Sequence, residues 1–463
     1  MADAQAKFLT GNLFKHVTVM SFTASIGLMA VFFVDFLDMV FISMLGEAEL
    51  AAAIGYAGSI LFFTTSFSIG IAIAAGALTA KALGAGDEAL ARQRATHSLV
   101  YGFIFSALFA GVVWWFLEPI VGLVGATGHT AELAVHYLQI IVPTLPFLLL
   151  GMCGGAILRA HGDAKRAMTA TIAGGLVNAV LDPILIFGLG LDLTGAALAS
   201  VAARLTIAAL GLLPVIRHHG GFCRPTVPSM VRDFMPIFVI AVPAILTQLA
   251  TPVGQAYVTR SMAEFGEAAV AGMAMVGRLV PVAFAVIFAL SGAVGPIIGQ
   301  NYGAGRRDRV AGAFRDALLF TALVVVVMAA LLFALRHSLV WLFQAEGLSR
   351  DLVLLFCGPL ALAWFFNGVI FVTNAAFNNL GRPLLSTLVN WGRHTIGTIP
   401  FVMLGGWWLG AEGVLIGQAV GGFFFAILAF ALAQRVIRSG EPNQGPEIYE
   451  QRKRQLTLFH NRR

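Results

Sequence analysis

The stretch ALLFTALVVVVMAALLFAL, residues 317–335, contains no charged side chain and is followed directly by Arg336. A helix rises about 1.5 Å per residue, so a run of this length matches the roughly 30 Å hydrocarbon core of a membrane. Apolar runs of similar length recur from one end of the chain to the other. The sequence therefore predicts an all-α protein that crosses a membrane many times.

The composition agrees with a membrane protein. Of the 463 residues, 59% are hydrophobic and 11% are charged, whereas a soluble domain carries about 25% charged residues. The net charge of +6 does not indicate nucleic-acid binding, because the charges lie in short connectors and in the tail. The first apolar run, about residues 16–44, is too long for a secretory signal and lacks a small-residue cleavage site. We expect it to be retained as a helix.

Cysteine and histidine patterns give no metal site. Three scattered cysteines provide neither a disulfide framework nor zinc spacing. His218, His219 and Cys223 cluster in one connector, and we expect a solvated loop there because no fourth ligand is close.

We predict twelve transmembrane helices whose connectors alternate in charge. Their approximate bounds are 16–44, 51–80, 95–117, 134–158, 168–189, 195–216, 235–258, 268–299, 313–336, 351–379, 384–406 and 412–435. The basic connectors include Lys81, Arg92, Arg94, Arg159, Lys165 and Arg307, and the acidic connectors include Glu47, Glu118, Asp192 and Glu412. This bias predicts that the basic connectors and both termini lie in the cytoplasm, which requires an even number of spans.

The two halves of the chain repeat each other. Residues 45–48 (LGEA) match 265–268 (FGEA) at an offset of 220, and 83–86 (LGAG) match 302–305 (YGAG) at an offset of 219. Residues 194–198 loosely match 412–416 at an offset of 218. With six helices per half, the repeat is parallel, and its axis lies along the membrane normal. We predict an N-terminal lobe (1–220), a C-terminal lobe (221–440), a central cavity between them and a polar tail (441–463).

Carboxylates within predicted helices are the main candidates for function, because a charge inside a membrane costs at least a few kcal/mol. Asp35 and Asp38 share one face of helix 1, and Asn178 and Asp182 share one face of helix 5. The repeat offsets carry Asp35 to Gln255 and Asp182 to Phe401. The acids therefore belong to the N-terminal lobe alone, as expected of a coupling site that binds protons or Na⁺ rather than of a scaffold.

Basic residues also occur within predicted helices. Arg204 lies near mid-membrane, where pairing with an aspartate is one interpretation, and Arg278 and Arg393 lie in the second half, with His394 beside Arg393. Structural pairing or snorkelling explains these arginines equally well. Arg204, Arg278, Gln248 and Gln255 are the remaining candidates for the cavity or for ion pairs.

Several motifs resemble the multidrug and toxic compound extrusion (MATE) family over nearly the whole chain. Residues 38–46 (DMVFISMLG) are similar to its helix 1 pattern, and 299–305 (GQNYGAG) are similar to its Gly-Gln-Asn-x-Gly-Ala-Gly signature. Residues 158–163 (LRAHGD) resemble its Leu-Arg-x-x-Gly-Asp connector. Residues 178–183 (NAVLDP) resemble the helix 5 motif of the DinF-type branch.

This resemblance implies a transporter, not an enzyme, that exchanges organic and often cationic compounds for a cation. It implies that Asp38 and Asp182 are the coupling residues, with Asn178 beside them. The other bacterial branch carries a carboxylate in helix 7, where this chain has Gln248, which argues against a cation site in the second lobe. The coupling ion is expected to be H⁺, with Na⁺ as the alternative, and no cofactor is expected.

Two other functions stay open at this stage. A lipid-linked oligosaccharide flippase of the same superfamily would line its cavity with several Lys or Arg residues. A non-transporting scaffold would not need buried acids in one lobe only. No phosphate-binding Gly-x-x-x-x-Gly-Lys-Ser/Thr motif occurs, so ATP bound by this chain is not the energy source. We expect a monomer in the bacterial inner membrane that carries small organic molecules and binds no nucleic acid.

Overall fold

The computed structural model describes residues 6–45 and 48–439, and every regular element within these ranges is helical. The first half contains α1 (Leu13–Met44), α2 (Ala48–Gly84), α3 (Glu88–Trp115), α4 (Leu117–Leu123), α5 (Gly128–Ile141), α6 (Leu145–Ala160), α7 (Ala164–Pro183) and α8 (Asp192–His218). The second half contains α9 (Val227–Ala263), α10 (Glu267–Ala283), α11 (Ala285–Gly303), α12 (Arg307–Leu342), α13 (Gly347–Leu355), α14 (Ala361–Asn379), α15 (Pro383–His394) and α16 (Ile399–Ser439). Glu47 and the predicted tail, 441–463, lie outside the described residues.

The helices give the predicted twelve spans. Eleven described segments are long and apolar enough to cross a membrane, and the last of them, Pro383–Ser439, has 57 residues, more than twice the ~20 that one span needs. This segment reverses at Gly410, whose φ of 62° favours glycine. Beyond the turn the two arms touch, because a Cβ at Gly413 would overlap the backbone of Gly405. The segment therefore supplies spans eleven and twelve.

Several spans are interrupted where the sequence predicts continuous helices. The breaks are Val142–Thr144 between α5 and α6, Ile184–Gly188 after α7, Phe284 between α10 and α11, Phe356–Leu360 between α13 and α14, and 395–398 between α15 and α16. Each break has a proline within or close to it: Pro143, Pro183, Pro281, Pro359 and Pro400. Proline removes a backbone donor and its ring crowds the preceding turn, which interrupts the helix.

The two halves meet in a pseudo-symmetric contact between α2 and α11. Gly84 packs against the backbone of Gln300, and Gly303 packs against the backbone of Lys81, so neither glycine has room for a Cβ. The offset of 219 carries Gly84 to Gly303 and Lys81 to Gln300, so the two contacts are equivalent to each other. The reciprocal pairing is the arrangement expected of two lobes related by a two-fold axis along the membrane normal.

Hydrogen bonds between the lobes concentrate at one end of the bundle. We call this end the basic face, and it carries the connectors 85–87, 161–163, 219–226, 304–306 and 380–382. The buried His97 Nδ1 of α3 lies 2.6 Å from Asp233 Oδ2 of α9, and Gln93 Nε2 donates to the same oxygen at 2.9 Å. Gln300 Nε2 donates to the Ala160 carbonyl at 2.7 Å. The lobes are therefore joined at the basic face.

The segment before α1 also joins the lobes at this face. Phe8 has no exposed surface; its N–H donates to Gln300 Oε1 at 2.8 Å, and its carbonyl accepts from Asn301 Nδ2 at 3.1 Å. Lys7 Nζ donates to the Gly162 carbonyl of the N-terminal lobe at 2.6 Å. Phe8 packs in the same buried cluster as Phe284 and other second-lobe residues. Residues 6–11 thus cover the seam between the lobes.

Two sequence expectations about the basic connectors need correction. Several residues assigned to the basic connectors lie within helices: Lys81, Arg92, Arg94, Arg159 and Lys165. Arg94 of α3 has 5% of its surface exposed. His219 is not simply solvated, because its Nε2 lies 3.1 Å from Asp163 Oδ2 and its ring contacts that of His161. The sequence pattern places Arg92 and Arg94 in a connector because it predicts that the third helix starts at 95, whereas α3 starts seven residues earlier, at Glu88.

Candidate cation site in the N-terminal lobe

The acids are positioned by close packing of α1 against α7. Gly27 of α1 lies against Met168 and Thr171 of α7. Two turns further along both helices, Val34 of α1 lies against Gly175 of α7. Both helices run away from the basic face, so their contacts advance in step. Continuing this register brings Asp38 to the level of Asp182.

The start of α7 is fixed at the basic face by Asp163. Its carboxylate accepts from the Arg166 N–H, capping the helix, and also pairs with the Arg166 guanidinium and with His219. Burial raises the pKa of Asp163, but these hydrogen bonds outweigh burial and hold the pKa below its ordinary value. The capping carboxylate is therefore charged at neutral pH and stabilises the helix N-terminus.

The carboxyl groups of Asp38 and Asp182 interact directly. Asp182 has no exposed surface, and its Oδ2 accepts from Asn178 Nδ2 at 3.4 Å. Oδ1 of Asp38 and Oδ1 of Asp182 are also shielded from solvent, and neither has a hydrogen-bond partner among the described residues. An unsatisfied buried oxygen costs about 1–3 kcal/mol, so the pair presents two oxygens that a proton or a cation would satisfy.

The backbone beside the pair is irregular. Pro183 ends α7 directly after Asp182, and the π-helical turn Ile184–Gly188 follows. Backbone of this kind is tolerated at membrane depth only where protein encloses it or where it lines a cavity. The site therefore lies at a break in the helix, as ion sites in discontinuous transport helices do.

Sequence reasoning missed two neutral members of the site. Tyr137 of α5 is 8% exposed, and its hydroxyl faces Ser200 of α8 and lies within electrostatic range of both aspartates. Neither residue carries a charge, so a search for charged residues in apolar helices has no signal for them. Their hydroxyls form a neutral polar contact between α5 and α8 within electrostatic range of the acid pair.

The interpretation that Arg204 pairs with an aspartate is wrong. Its guanidinium donates to the Ile141 carbonyl at 3.1 Å and to Thr144 Oγ1 at 3.0 Å. These groups flank the break between α5 and α6, where the interrupted helix leaves backbone oxygens without helical partners. Arg204 therefore donates hydrogen bonds to oxygen atoms at the helix break, and it does not neutralise the acid pair.

The other sequence candidates lie outside the pair. Asp35 is exposed one turn from Asp38. Gln248 is half-buried and Gln255 and Arg278 are exposed; within the described part of the chain, their side chains make no hydrogen bond. The structure thus brings together Asp38, Asn178 and Asp182, but not the four residues named here.

The donor set consists of oxygens. Two carboxylates, one amide and nearby hydroxyls suit H⁺ or a hard cation such as Na⁺. In residues 6–45 and 48–439, no group of three His, Cys, Asp or Glu side chains is placed to hold a metal ion. The pair can therefore bind a small cation reversibly, and it offers no thiolate or imidazole for a transition metal.

Comparison with known proteins gives one matching family model and similar transporters that align over most of the chain. The family model described as MatE matches residues 24–184 and 243–404, so the second match begins 219 residues after the first, at the offset of the internal repeat. The chain is 30% identical over 438 residues to a protein of Shewanella oneidensis named FAD transporter, covering 90% of this chain and 93% of that protein. It is 24% identical over 440 residues to the multidrug export protein MepA of Staphylococcus haemolyticus, covering 93% and 96%.

Solved structures share the fold. A crystal structure of a mutant of the Vibrio cholerae MATE transporter VcmN superposes with a TM-score of 0.88 at 25% identity, covering 94% of this chain and 99% of that one. An outward-facing MATE family transporter of the MOP superfamily superposes with a TM-score of 0.87 at 21% identity. At this identity the likeness shows only that the fold is shared.

Proposed function

Because this chain belongs to the MATE family of efflux transporters, we propose that it exports small organic molecules in exchange for protons, with Asp38 and Asp182 as the coupling groups. The observation that carries the proposal is the buried acid pair whose two Oδ1 atoms have no hydrogen-bond partner. Proton binding would give one of these oxygens a hydrogen to donate to the other. Na⁺ held by the same oxygens is the alternative coupling ion.

The exchange needs only a difference in affinity between two states. Two ionised carboxylates repel each other and attract a cationic substrate, and protonation removes both effects. If the state open on one side of the membrane prefers the protonated pair and the other state prefers the ionised pair, the proton gradient drives the conformational cycle. The helix break at Ile184–Gly188 lies beside Asp182, and α7 can bend there when the acid pair changes its charge.

Separate ion gradients test this proposal. In proteoliposomes, we expect an imposed pH gradient to drive ethidium transport against its concentration gradient, and an equal Na⁺ gradient at constant pH to produce no transport. A Na⁺-driven signal without a pH-driven signal would reverse the assignment of the coupling ion. Absence of both would remove the proposed exchange function.

We further propose that the basic face lies in the cytoplasm of a bacterial inner membrane, as the positive-inside rule predicts. In a variant without Cys153, Cys223 and Cys357, single cysteines at exposed Asp192 or Glu118 should react with an impermeant maleimide added to intact cells. Cysteines at exposed Lys165 or Arg307 should react only after the membrane is opened. The reverse labelling pattern would invert the topology.

A second substrate class is favoured by one observation. Arg159, Arg204 and Arg393 lie within spans, and none has a carboxylate within 4 Å among the described residues, while the relative from S. oneidensis is named a FAD transporter. We propose that planar anions such as FAD are carried as well as cations. The arginines contact separate partners and form no shared cluster, which does not support the flippase alternative. FAD and ethidium export by the same proteoliposomes would test this directly.

A further inference from the structure

In the second lobe, the span that corresponds to α7 carries Arg393 and His394 and no acid. Spans five and eleven are equivalent in the repeat, so α7 of the N-terminal lobe corresponds to α15 and the start of α16. Where α7 carries Asn178 and Asp182, the corresponding segment carries Gly397 and Phe401, and Arg393 and His394 precede them. Arg393 is equivalent to Gly174, about two turns closer to the basic face than Asp182, so the corresponding spans of the two lobes carry opposite charges at different depths.

Arg393 has no anionic partner. Its half-buried guanidinium donates to Asn367 Oδ1 of α14, and a Cβ on Gly422 would lie 3.9 Å from its Nε. No carboxylate of the described chain lies within ion-pair distance of it. His394 beside it is 4% exposed, and its Nδ1 has no hydrogen-bond partner. A cation removed from water without a counter-charge is unfavourable, so this pocket favours an anion.

The backbone is broken at this point, as it is beside Asp182. Helix α15 ends at His394, and Thr395 has φ −106° and ψ −84°. Thr398 Oγ1 donates to the Arg393 carbonyl at 2.9 Å. Backbone that is not helical at this depth needs surrounding protein or a cavity, and Arg393 and Asn367 lie half-buried beside this break.

Aromatic residues adjoin in sequence the two residues, Asn367 and Gly422, that lie against Arg393. The Phe366 ring, next to Asn367, meets the Phe423 ring edge-to-face with centroids 4.8 Å apart. Phe423, next to Gly422, also contacts Phe424, which stacks on Phe401 at 5.4 Å. These rings form an aromatic cluster on the same helices, α14 and α16, that carry Asn367 and Gly422.

We propose that Arg393 and Asn367 form a substrate subsite in the C-terminal lobe that binds the phosphate group of a planar aromatic anion. Arg393 forms charge-assisted hydrogen bonds to the phosphate oxygens, the Asn367 amide donates to another, and the phenylalanines contact the ring system. The subsite deepens the proposed export function, because it gives the anion a place distinct from Asp38 and Asp182. Cations bound at the acid pair and anions bound at Arg393 would then occupy different lobes.

Binding of FMN and riboflavin to the purified full-length protein tests the subsite, because the two molecules share a ring and differ in the phosphate. Quenching of flavin fluorescence should show FMN binding at least about tenfold more tightly than riboflavin, the scale of one charge-assisted contact. Arg393→Gln should remove this difference and leave riboflavin affinity unchanged. Arg393→Lys should keep part of it, and Arg315→Gln, an exposed control on the basic face, should keep all of it.

Three outcomes would overturn the proposal. FMN preference unchanged in Arg393→Gln would show that the phosphate binds elsewhere, and an equal loss for both flavins would show that Arg393 is structural. Competition by phosphatidylglycerol in the wild type but not in Arg393→Gln would identify a lipid phosphate as the occupant. Because Asp38→Asn leaves this pocket intact, FMN binding in that variant separates failure of the subsite from failure of proton coupling.

Discussion

Asp38→Asn and Asp182→Asn should each reduce gradient-driven export to the level of empty proteoliposomes while the protein still inserts and folds. The amide has the shape of the carboxyl group but cannot exchange a proton, so the pair keeps one charge state throughout the cycle. With no difference between protonated and ionised states, the pH gradient can no longer shift the conformational equilibrium. The measurement is pH-driven ethidium transport at matched protein levels, with folding checked by size-exclusion chromatography.

Two matched variants distinguish coupling from general damage. Asp35→Asn changes a carboxylate one turn away that is exposed and outside the pair. Gln255→Ala changes the repeat equivalent of Asp35 in the other lobe. Both should retain pH-driven transport. If Asp38→Asn and Asp182→Asn also transport against a gradient at the wild-type rate, the aspartates are structural and the proposed coupling is wrong.

Much of the fold follows from local sequence signals. Apolar runs predict the spans, charge alternation predicts their number, and motif offsets predict the two lobes. The helix breaks escape this reasoning because an apolar run does not show whether its helix is continuous, and proline within a span allows either a mild bend or an interruption. Pro243 and Pro252 lie inside the unbroken α9, whereas Pro359 lies in a break.

The site was predictable only in part, for a similar reason. Charged or amide side chains in apolar helices are conspicuous, and Asp38, Asn178 and Asp182 do meet. Tyr137 and Ser200 have ordinary packing roles in many helices, so nothing in the sequence assigns them to the site. Arg204 was ambiguous because backbone carbonyls, which the sequence does not reveal as unsatisfied, compete with carboxylates for a guanidinium.

The seam between the lobes was the least predictable feature. His97 and Asp233 are 136 positions apart, and Phe8 and Gln300 are 292 apart. Neither pair forms a local pattern. The polar start of the chain, residues 1–15, gave no signal of a buried Phe8. These contacts surround the place where the basic ends of α2 and α11 meet, and we expect that contact to control access from the basic face.

Gly84→Ala should separate the lobes at the basic face and slow export by at least about fivefold. The added Cβ would overlap the Gln300 carbonyl, which belongs to the backbone and cannot rotate away. Overpacking of this kind costs about 1–3 kcal/mol, equivalent to a shift of roughly 5- to 150-fold between two conformations. Alanine is the better helix former by about 1 kcal/mol, so loss of helix stability would not explain the effect.

The separation can be measured with spin labels on the exposed Arg92 of α3 and Arg232 of α9, which flank the Gln93–Asp233 hydrogen bond. In Gly84→Ala the distance distribution should move to longer values. Gly303→Ala should do the same, because it is the equivalent residue and would overlap the Lys81 carbonyl. Gly111→Ala, in a helix with open space around the added Cβ, should match the wild type. If Gly84→Ala retains the wild-type distances and transport rate, the α2–α11 contact does not control access from the basic face, and the lobes must separate about another contact.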